Sequence, residues 1–349
     1  MIEIDGSRYS GSGTILRYAV SLAALLRKEL HIRNIRAKRR KPGLRPQHLR
    51  SVLACRDLTD GVVSGAEIGS SELVFYPGPS IKGGEYSFDI GTAGSTTMLL
   101  LTFLPLACFA EDTIRLKLSG GLFQDFAPTA FHMEYVLLCT LFRMGLCAEL
   151  KMVRPGYVPS GGGILEVEIK PVKGKLQSIR LIDQGEIEEF RGIALSSHLK
   201  AQRVNERMVA ACQKALKKKG CQVIVELKED ETSLQKGAAF FLLASTTTGL
   251  LLGMDQAGKI GRSAEKIGDY VTKALLEDIE KGATVDRYLA DQLIIFAALA
   301  EGASEYIIPY QTDHIRSNLW LVEEILGAKA QLNGQYLKIE GIAFDVNRQ

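Results

Sequence analysis

The chain has 349 residues, of which 46% are hydrophobic and 24% are charged, and its formal net charge is +3 at pH 7. This composition excludes a disordered chain and a collagen-like fibre, and the length is sufficient for about two ordinary domains. The small net charge excludes a polycation, but residues 31–50 contain eight arginines and lysines and no acidic residue. Such a patch can attract phosphate groups even when the global charge is small.

The start of the chain predicts a strand, because residues 1–5 alternate apolar and acidic side chains, and we therefore expect no signal peptide there. The most apolar stretch, residues 98–110, is too short to span a membrane and contains Pro105, so we predict a buried helix there. The six cysteines form no C-x-x-C pair and lie among apolar residues. We therefore expect buried, reduced thiols, no zinc site and a cytoplasmic location.

A turn of small residues followed at once by an apolar helix recurs along the chain. The three turns are Gly11-Ser-Gly-Thr14, Gly91-Thr-Ala-Gly-Ser95 and Gly282-Ala-Thr284. The recurrence suggests a repeated βα unit. Between the helices, alternation of apolar and polar residues predicts strands at residues 72–76, 113–118, 164–169 and 336–340.

Residues 183–276 differ in character from the rest of the chain. A polar helix is predicted at residues 200–219, because three lysines followed by Gly220 are typical of a helix end. Two strands are predicted after it, at residues 221–227 and 239–244. This segment is interpreted as an α/β insert between the second and third repeats.

Among the five histidines, His314 differs from the others by its position beside a predicted helix start. The apolar spacing within residues 319–326 predicts a helix that begins near Asp313 or Ser317. The positive end of the helix dipole disfavours the cationic ring, so His314 tends to stay neutral and nucleophilic. From this residue alone, a capping or packing role stays open beside a catalytic one.

Four segments, in order and nearly from end to end, resemble the RNA 3′-terminal phosphate cyclase family. They are Asp5-Gly with Gly11-Ser-Gly-Thr-Ile-Leu-Arg17; Ile35-Arg-Ala-Lys-Arg39-Arg-Lys-Pro-Gly-Leu-Arg-Pro-Gln47-His-Leu49; Gly156-Tyr-Val-Pro-Ser-Gly-Gly-Gly163; and Tyr288-Leu-Ala-Asp291-Gln-Leu293 with His314. Shorter matches include Gly91-Thr-Ala-Gly-Ser95 and Ala127-Pro128. Together these matches are specific, although no single one would be.

The resemblance implies an ATP-dependent enzyme that closes an RNA 3′-phosphate into a 2′,3′-cyclic phosphodiester. The family histidine that matches His314 attacks the α-phosphate of ATP, and the adenylate then passes to the RNA 3′-phosphate to give RNA-(3′)pp(5′)A. The vicinal 2′-hydroxyl displaces AMP. The implied partners are ATP, Mg²⁺ or Mn²⁺ and an RNA 3′-phosphate end, with no membrane. Whether the chain acts alone or as a homodimer stays open.

The same resemblance assigns roles to individual residues. Catalysis falls to His314, Asp291, Arg17 and Arg39, where Asp291 is expected to orient His314 or a neighbouring group. Guanidinium groups suit phosphate oxygens and the charge that builds up in phosphoryl transfer. Nucleotide binding falls to Arg36, Gln47, Pro128, Tyr288, Gly11 and Gly13.

The resemblance also implies an α/β (α+β) fold. A large domain would hold three repeated βα units, each a four-stranded sheet with two helices, in residues 1–182 and 277–349. A smaller, thioredoxin-like α/β domain would occupy residues 183–276. The active site is expected on the large domain, near the crevice that faces the insert.

Several positions depart from the family pattern around the expected pocket. Ser10 replaces a glutamate linked to metal and phosphate handling, so the metal ligands are unknown. Leu101 replaces an amide side chain, and Leu122 and Phe123 replace a polar pair. These changes could alter substrate preference or reduce activity.

Three other functions stay open. One is a non-catalytic cyclase-like protein of ribosomal RNA processing, although that branch lacks the nucleophilic histidine. Another is an adenylyltransferase that acts on other polynucleotide phosphate ends. The last is a relative of the enolpyruvyl transferases, which share the repeated βα architecture but do not use the set Tyr288, Asp291 and His314.

Overall fold

The first structural unit begins with the strand that is predicted at the start of the chain. A computed structural model describes residues 1–345. The elements of this unit are β1 (Ile2–Asp5), α1 (Gly13–Leu25), β2 (Leu30–Arg33), α2 (Pro46–Thr59), β3 (Val62–Ser64) and β4 (Leu73–Tyr76). β1 lies parallel to β2, and β4 pairs antiparallel with both β2 and β3. Leu30 and Ile32 are buried while Arg33 is exposed, so one face of the sheet packs against the helices.

The second unit repeats this arrangement. Its elements are β5 (Gly84–Asp89), α3 (Thr96–Ala107), β6 (Ile114–Gly120), α4 (Ala130–His132), α5 (Leu138–Arg143), β7 (Cys147–Arg154) and β8 (Gly163–Lys170). One π-helical turn, Met133–Leu137, joins α4 to α5. β5 lies parallel to β6, and β8 pairs antiparallel with both β6 and β7. α3 is the buried helix predicted around residues 98–110, and Ser95 caps it by accepting a hydrogen bond from the Met98 N–H.

A short strand, β9 (Arg180–Leu181), precedes a segment with a sheet of its own. We call residues 187–280 the insert; its elements are β10 (Ile187–Ser197), α6 (Val204–Lys217), β11 (Ile224–Asp230), β12 (Gly237–Thr246), β13 (Leu251–Ala257) and α7 (Ala264–Glu280). The strand order is β11-β10-β12-β13, with β10 parallel to β11 and the other pairs antiparallel. The two helices pack against each other. The predicted domain boundary at residue 276 falls inside α7, and the division of the chain into domains stays a prediction.

The helix predicted at residues 200–219 is shorter in the structure. Arg203 adopts a left-handed conformation with φ 50°, which separates a 3₁₀ turn at Lys200–Gln202 from α6. At the other end, Gly220 takes φ 75° and α6 stops at Lys217. The following strand therefore begins at Ile224 instead of residue 221.

The third unit completes the pattern around β9. Its remaining elements are α8 (Leu289–Leu299), β14 (Ala303–Ile307), α9 (Asp313–Leu326), β15 (Lys329–Asn333) and β16 (Tyr336–Glu340). β9 lies parallel to β14, and β16 pairs antiparallel with both β14 and β15. Three sheets thus share one pairing order, and the predicted α/β fold class is confirmed. The insert occupies the connection between β9 and α8.

The first helix of each unit forms the centre of the molecule. α1, α3 and α8 are buried over nearly all of their residues, and α3 contacts both of the others. α9 packs against α1 and α8, which brings its N-terminus to this centre. Within residues 1–345, no helix is long and apolar enough to cross a membrane.

The cysteines correct one expectation. Cys55, Cys108 and Cys212 are buried, but Cys139 is exposed and two others are half-buried. The expectation that all six are buried is therefore wrong. All six are free thiols.

Candidate active site

A cavity of about 260 Å³ lies where the three units meet. Each unit supplies part of its wall: α1 from the first, α3 and the loop before α4 from the second, and the starts of α8 and α9 from the third. The predicted residues that line it are Arg17, Pro128, Tyr288, Asp291 and His314. Residues far apart in the sequence are thus brought to one concave site.

His314 is the second residue of α9. The helix begins there because the Thr312 hydroxyl accepts a hydrogen bond from the Ile315 N–H at 3.1 Å. The Nδ1 atom of His314 lies 3.3 Å from the Thr14 hydroxyl on α1. Burial lowers the pKa of His314 below 6.5, and the positive charges of Arg17 and Arg39 lower it further. The ring is therefore neutral at physiological pH, as the sequence predicts.

Thr14 links His314 to Arg17. The Arg17 Nη2 group donates to Thr14 Oγ1 at 3.3 Å. Burial lowers the pKa of Arg17 to about 10, so the guanidinium stays charged at neutral pH. A guanidinium can only donate, and one Thr14 lone pair is therefore engaged by Arg17. The second lone pair can accept the Nδ1–H of His314, and this tautomer leaves the lone pair of Nε2 free.

Asp291 lies on α8 and faces the same cavity. Burial raises its pKa to about 7, and the charge of Arg17 offsets part of that rise. Its backbone carbonyl accepts a hydrogen bond from Asn318 Nδ2 at 2.9 Å, which ties α8 to α9. Within the described chain, the ring of His314 is hydrogen-bonded to Thr14 and not to Asp291.

The glycine-rich loop before α1 packs closely against its neighbours. Gly11 has φ 51°, and a Cβ atom there would contact the Lys38 side chain. A Cβ atom at Gly13 would overlap the ring of His48. Ser10 is half-buried, and its hydroxyl lies 2.8 Å from the Ser317 hydroxyl on α9.

Besides Gly11 and Gly13, three other residues predicted for this site lie outside the cavity walls. Arg36 donates from Nη1 to the backbone carbonyls of Lys41 and Gly43, at 2.8 Å each. It thus holds together residues 34–45 between β2 and α2, which we call the basic loop. Gln47 accepts a hydrogen bond from the Ser95 N–H at 3.1 Å. Arg39 is exposed on the same basic loop, close enough to lower the pKa of His314.

Tyr288 and Pro128 form a mostly apolar part of the cavity. The Tyr288 ring meets the His132 ring edge to face, with centroids 5.4 Å apart. The Pro128 carbonyl accepts a hydrogen bond from the Thr97 hydroxyl at 2.7 Å. Flat, fixed and apolar surfaces of this kind suit a nucleobase.

Sequence reasoning missed the buried pair beneath Tyr288. His132 Nε2 lies 3.1 Å from both carboxylate oxygens of Asp286, and both side chains are fully buried. Asp286 also accepts hydrogen bonds from the N–H groups of Tyr288 and Leu289 at 2.9 Å. An aspartate just before a helix is a capping signal, but the partner His132 lies 154 residues away and carries no local signal.

The donor set does not fit a metal held by protein side chains alone. Among residues 1–345, no group of three or more His, Cys, Asp or Glu side chains could hold a metal ion. At the position of the family glutamate, the Ser10 hydroxyl is already in contact with Ser12 and Ser317. The expectation of Mg²⁺ or Mn²⁺ therefore stays a prediction.

Two comparisons with known sequences agree on one family. The sequence model described as RNA 3′-terminal phosphate cyclase matches residues 8–332. A protein of that name from Pyrococcus furiosus is 38% identical over 334 residues, which cover 96% of each chain. Another, from Pyrobaculum aerophilum, is 34% identical over 348 residues and 99% of each chain. A solved structure, the enolpyruvyl transferase NikO from Streptomyces tendae, aligns over 97% of this chain and 51% of the NikO chain, with a TM-score of 0.28 and 12% sequence identity.

Proposed function

Because the chain belongs to the RNA 3′-terminal phosphate cyclase family, we propose that it is a cytoplasmic ATP-dependent enzyme that converts an RNA 3′-phosphate into a 2′,3′-cyclic phosphodiester. The observation that carries the proposal is the placement of His314: a neutral imidazole faces a central cavity beside a buried, charged Arg17. Free cysteines are in keeping with a reducing compartment.

In the first step, His314 Nε2 attacks the α-phosphorus of ATP. A P–N bond forms, the bond to the bridging oxygen breaks, and pyrophosphate leaves. Thr14 orients the ring through Nδ1, and Arg17 lies near enough to stabilise the negative charge that develops on the phosphoryl oxygens. Pro128 and Tyr288 are proposed to hold the adenine.

In the second step, an oxygen of the RNA 3′-phosphate attacks the same phosphorus and releases His314. The product, RNA-(3′)pp(5′)A, carries AMP as a good leaving group. Arg39 and the exposed basic loop would receive the RNA end. No step requires a second nucleophilic side chain.

In the third step, the 2′-hydroxyl attacks its own 3′-phosphorus, and AMP leaves. The hydroxyl must lose a proton during this attack. Asp291 suits that role because its pKa is about 7, near the pH at which proton transfer is most effective. We therefore assign Asp291 to proton transfer instead of the orientation of His314.

The deciding experiment is the intact mass of the full chain after incubation with ATP and Mg²⁺ or Mn²⁺. Wild type should gain the mass of one AMP and His314→Ala should gain none, while the control His31→Ala, on the outer face of the first sheet, should behave as wild type. Adenylation of a folded His314→Ala protein would overturn the assignment of the nucleophile. An absence of adenylation in wild type with either metal would favour the non-catalytic alternative.

The acceptor is tested separately with short oligonucleotides. An oligoribonucleotide with a 3′-phosphate should become cyclic, whereas one whose last sugar is 2′-deoxy should stop at the (3′)pp(5′)A product because it lacks the attacking hydroxyl. If only a 5′-phosphate end accepts AMP, the alternative adenylyltransferase is correct.

A further inference from the structure

Phe126 stands at the mouth of the cavity with its whole side chain exposed. It belongs to the loop that leads to Pro128 and lines the same cavity, and its relative exposure is 102%. Its backbone φ is 67°, in the left-handed region that residues other than glycine rarely adopt. A strained backbone that presents a large apolar ring to solvent is a feature that a bound partner would explain.

The loop is fixed on both sides of Phe126. On one side, Asp125 accepts hydrogen bonds from both terminal nitrogens of Arg262, at 2.8 and 3.0 Å, and from Lys259 Nζ at 3.1 Å. This forked arginine–carboxylate contact fixes direction as well as distance. On the other side, the Pro128 carbonyl is held by Thr97. The backbone of Phe126 is therefore held between two anchored neighbours.

The clamp on Asp125 comes from the insert. Lys259 and Arg262 lie in the turn between β13 and α7, and Arg262 also donates to the Ala257 carbonyl at 2.5 Å. The Arg262 side chain is 15% exposed, so the pair is less screened than an ordinary surface ion pair. The insert thus supplies one of the two anchors of the loop of Phe126.

We propose that Phe126 is a further stacking surface for the adenine of ATP, beside Pro128 and Tyr288, and that the insert positions it through the pair of Arg262 and Asp125. This inference rests on the proposed function, because it concerns the same nucleotide. A base that reaches the mouth of the cavity would cover the exposed ring, and an aromatic side chain can stack on any base because every base has a π-face. Phe126 contacts the substrate in this scheme, whereas Arg262 is a positioning residue.

The test measures binding of an ATP analogue with a methylene group between the α- and β-phosphorus, which cannot adenylate the protein. By calorimetry, Phe126→Ala should bind it roughly tenfold more weakly, and Phe126→Trp should bind it about as well as wild type. Phe142→Ala is the matched control, because this phenylalanine of α5 is also exposed and lies outside the cavity walls. In adenylation kinetics, the loss in Phe126→Ala should fall mainly on KM for ATP.

The role of the insert is tested with Arg262→Gln. It should weaken binding of the analogue by a similar factor, and combining it with Phe126→Ala should add little, because both changes remove the same contact. Unchanged analogue binding in Phe126→Ala, or a loss confined to RNA binding, would overturn the assignment while leaving the proposed function intact. If wild type fails to bind the analogue, the proposed function and this inference both fail.

Discussion

Ser317 and Ser10 join the helix of the nucleophile to the glycine-rich loop: their hydroxyl oxygens lie 2.8 Å apart, and the Ser10 N–H donates to Ser317 Oγ at 3.3 Å. Ser317 is buried and lies nearly one turn after His314 on α9. The contact therefore fixes the loop before Thr14 relative to the ring of His314. A change at either serine should reach the nucleophile through this link.

Ser317→Ala should lower the free energy of unfolding by about 1 kcal/mol, the usual contribution of a hydrogen bond of this kind. Adenylation should slow as well, because the loop that leads into α1 and Thr14 is released. Urea unfolding and the rate of mass gain with ATP measure the two effects. Ser87→Ala, on the sheet of the second unit, serves as the control. An unchanged adenylation rate in Ser317→Ala would show that the loop does not need this contact.

Thr14→Val should slow adenylation of His314 roughly tenfold, because the hydroxyl that orients Nδ1 is lost while the shape of the side chain is kept. Thr14→Ser retains the hydroxyl and should stay close to wild type. Single-turnover mass spectrometry at saturating ATP isolates this step. Equal rates for the valine and serine variants would rule out the orienting role.

The pH dependence should differ between the two halves of the reaction. Adenylation should hold its rate down to about pH 6.5 and fall only below it, because the pKa of His314 is lowered and protonation removes the nucleophile. Cyclisation of preformed RNA-(3′)pp(5′)A should instead rise as the pH passes about 7, where the Asp291 carboxyl loses its proton. In Asp291→Asn this rise should be absent. A rise near pH 7 that survives in the variant would assign it to another group.

Asp286→Asn should destabilise the fold by about 3–5 kcal/mol, because it removes one partner of a fully buried ion pair. Glu168→Gln is the comparison, since it breaks an exposed pair with Arg115 and should cost less than about 1 kcal/mol. Burial alone would lower the pKa of His132, but the charge of Asp286 and its hydrogen bond raise this pKa above 6.5. The stabilising contribution of the pair should therefore be complete below pH 6.5 and be lost as the pH rises through the raised pKa of His132. Thermal unfolding at several pH values measures both effects.

Arg39→Ala should weaken binding of both ATP and the RNA end, because it removes an exposed cation close to His314. The defect should shrink at higher salt, as expected for a screened phosphate contact. Arg143→Ala removes a comparable exposed arginine on α5 and is the control. Unchanged kinetics with an RNA 3′-phosphate would exclude Arg39 from substrate binding.

Local sequence patterns predicted most helices and strands, because each repeated unit contains short signals that span only a few residues. Small-residue turns precede α1, α3 and α8, and alternation locates strands such as β6 and β8 to within a residue or two. The ends of α6 were harder, since the left-handed Arg203 has no signal in the hydrophobic pattern. Local spacing describes the repeats but does not describe how they meet.

The candidate site likewise combines features that local spacing predicts with contacts between distant residues that it does not. The position of His314 at a helix start follows from the spacing of residues 319–326, and the structure agrees with it. Its contact with Thr14 joins residues 300 positions apart, and no local pattern encodes such a pair. Likewise, Gln47 turns to the Ser95 N–H because the backbone of another unit offers a donor there.

The threefold repetition places a histidine in the first turn of the second helix of every unit: His48 in α2, His132 in α4 and His314 in α9. The residues packed around each histidine differ between the three units. His48 is sealed beneath Gly13, where burial lowers its pKa to about 2, and His132 is locked to Asp286. The repeated backbone therefore does not supply a spare nucleophile. If His314 is lost, the two histidines at equivalent positions cannot replace it, because both are buried and held by their neighbours.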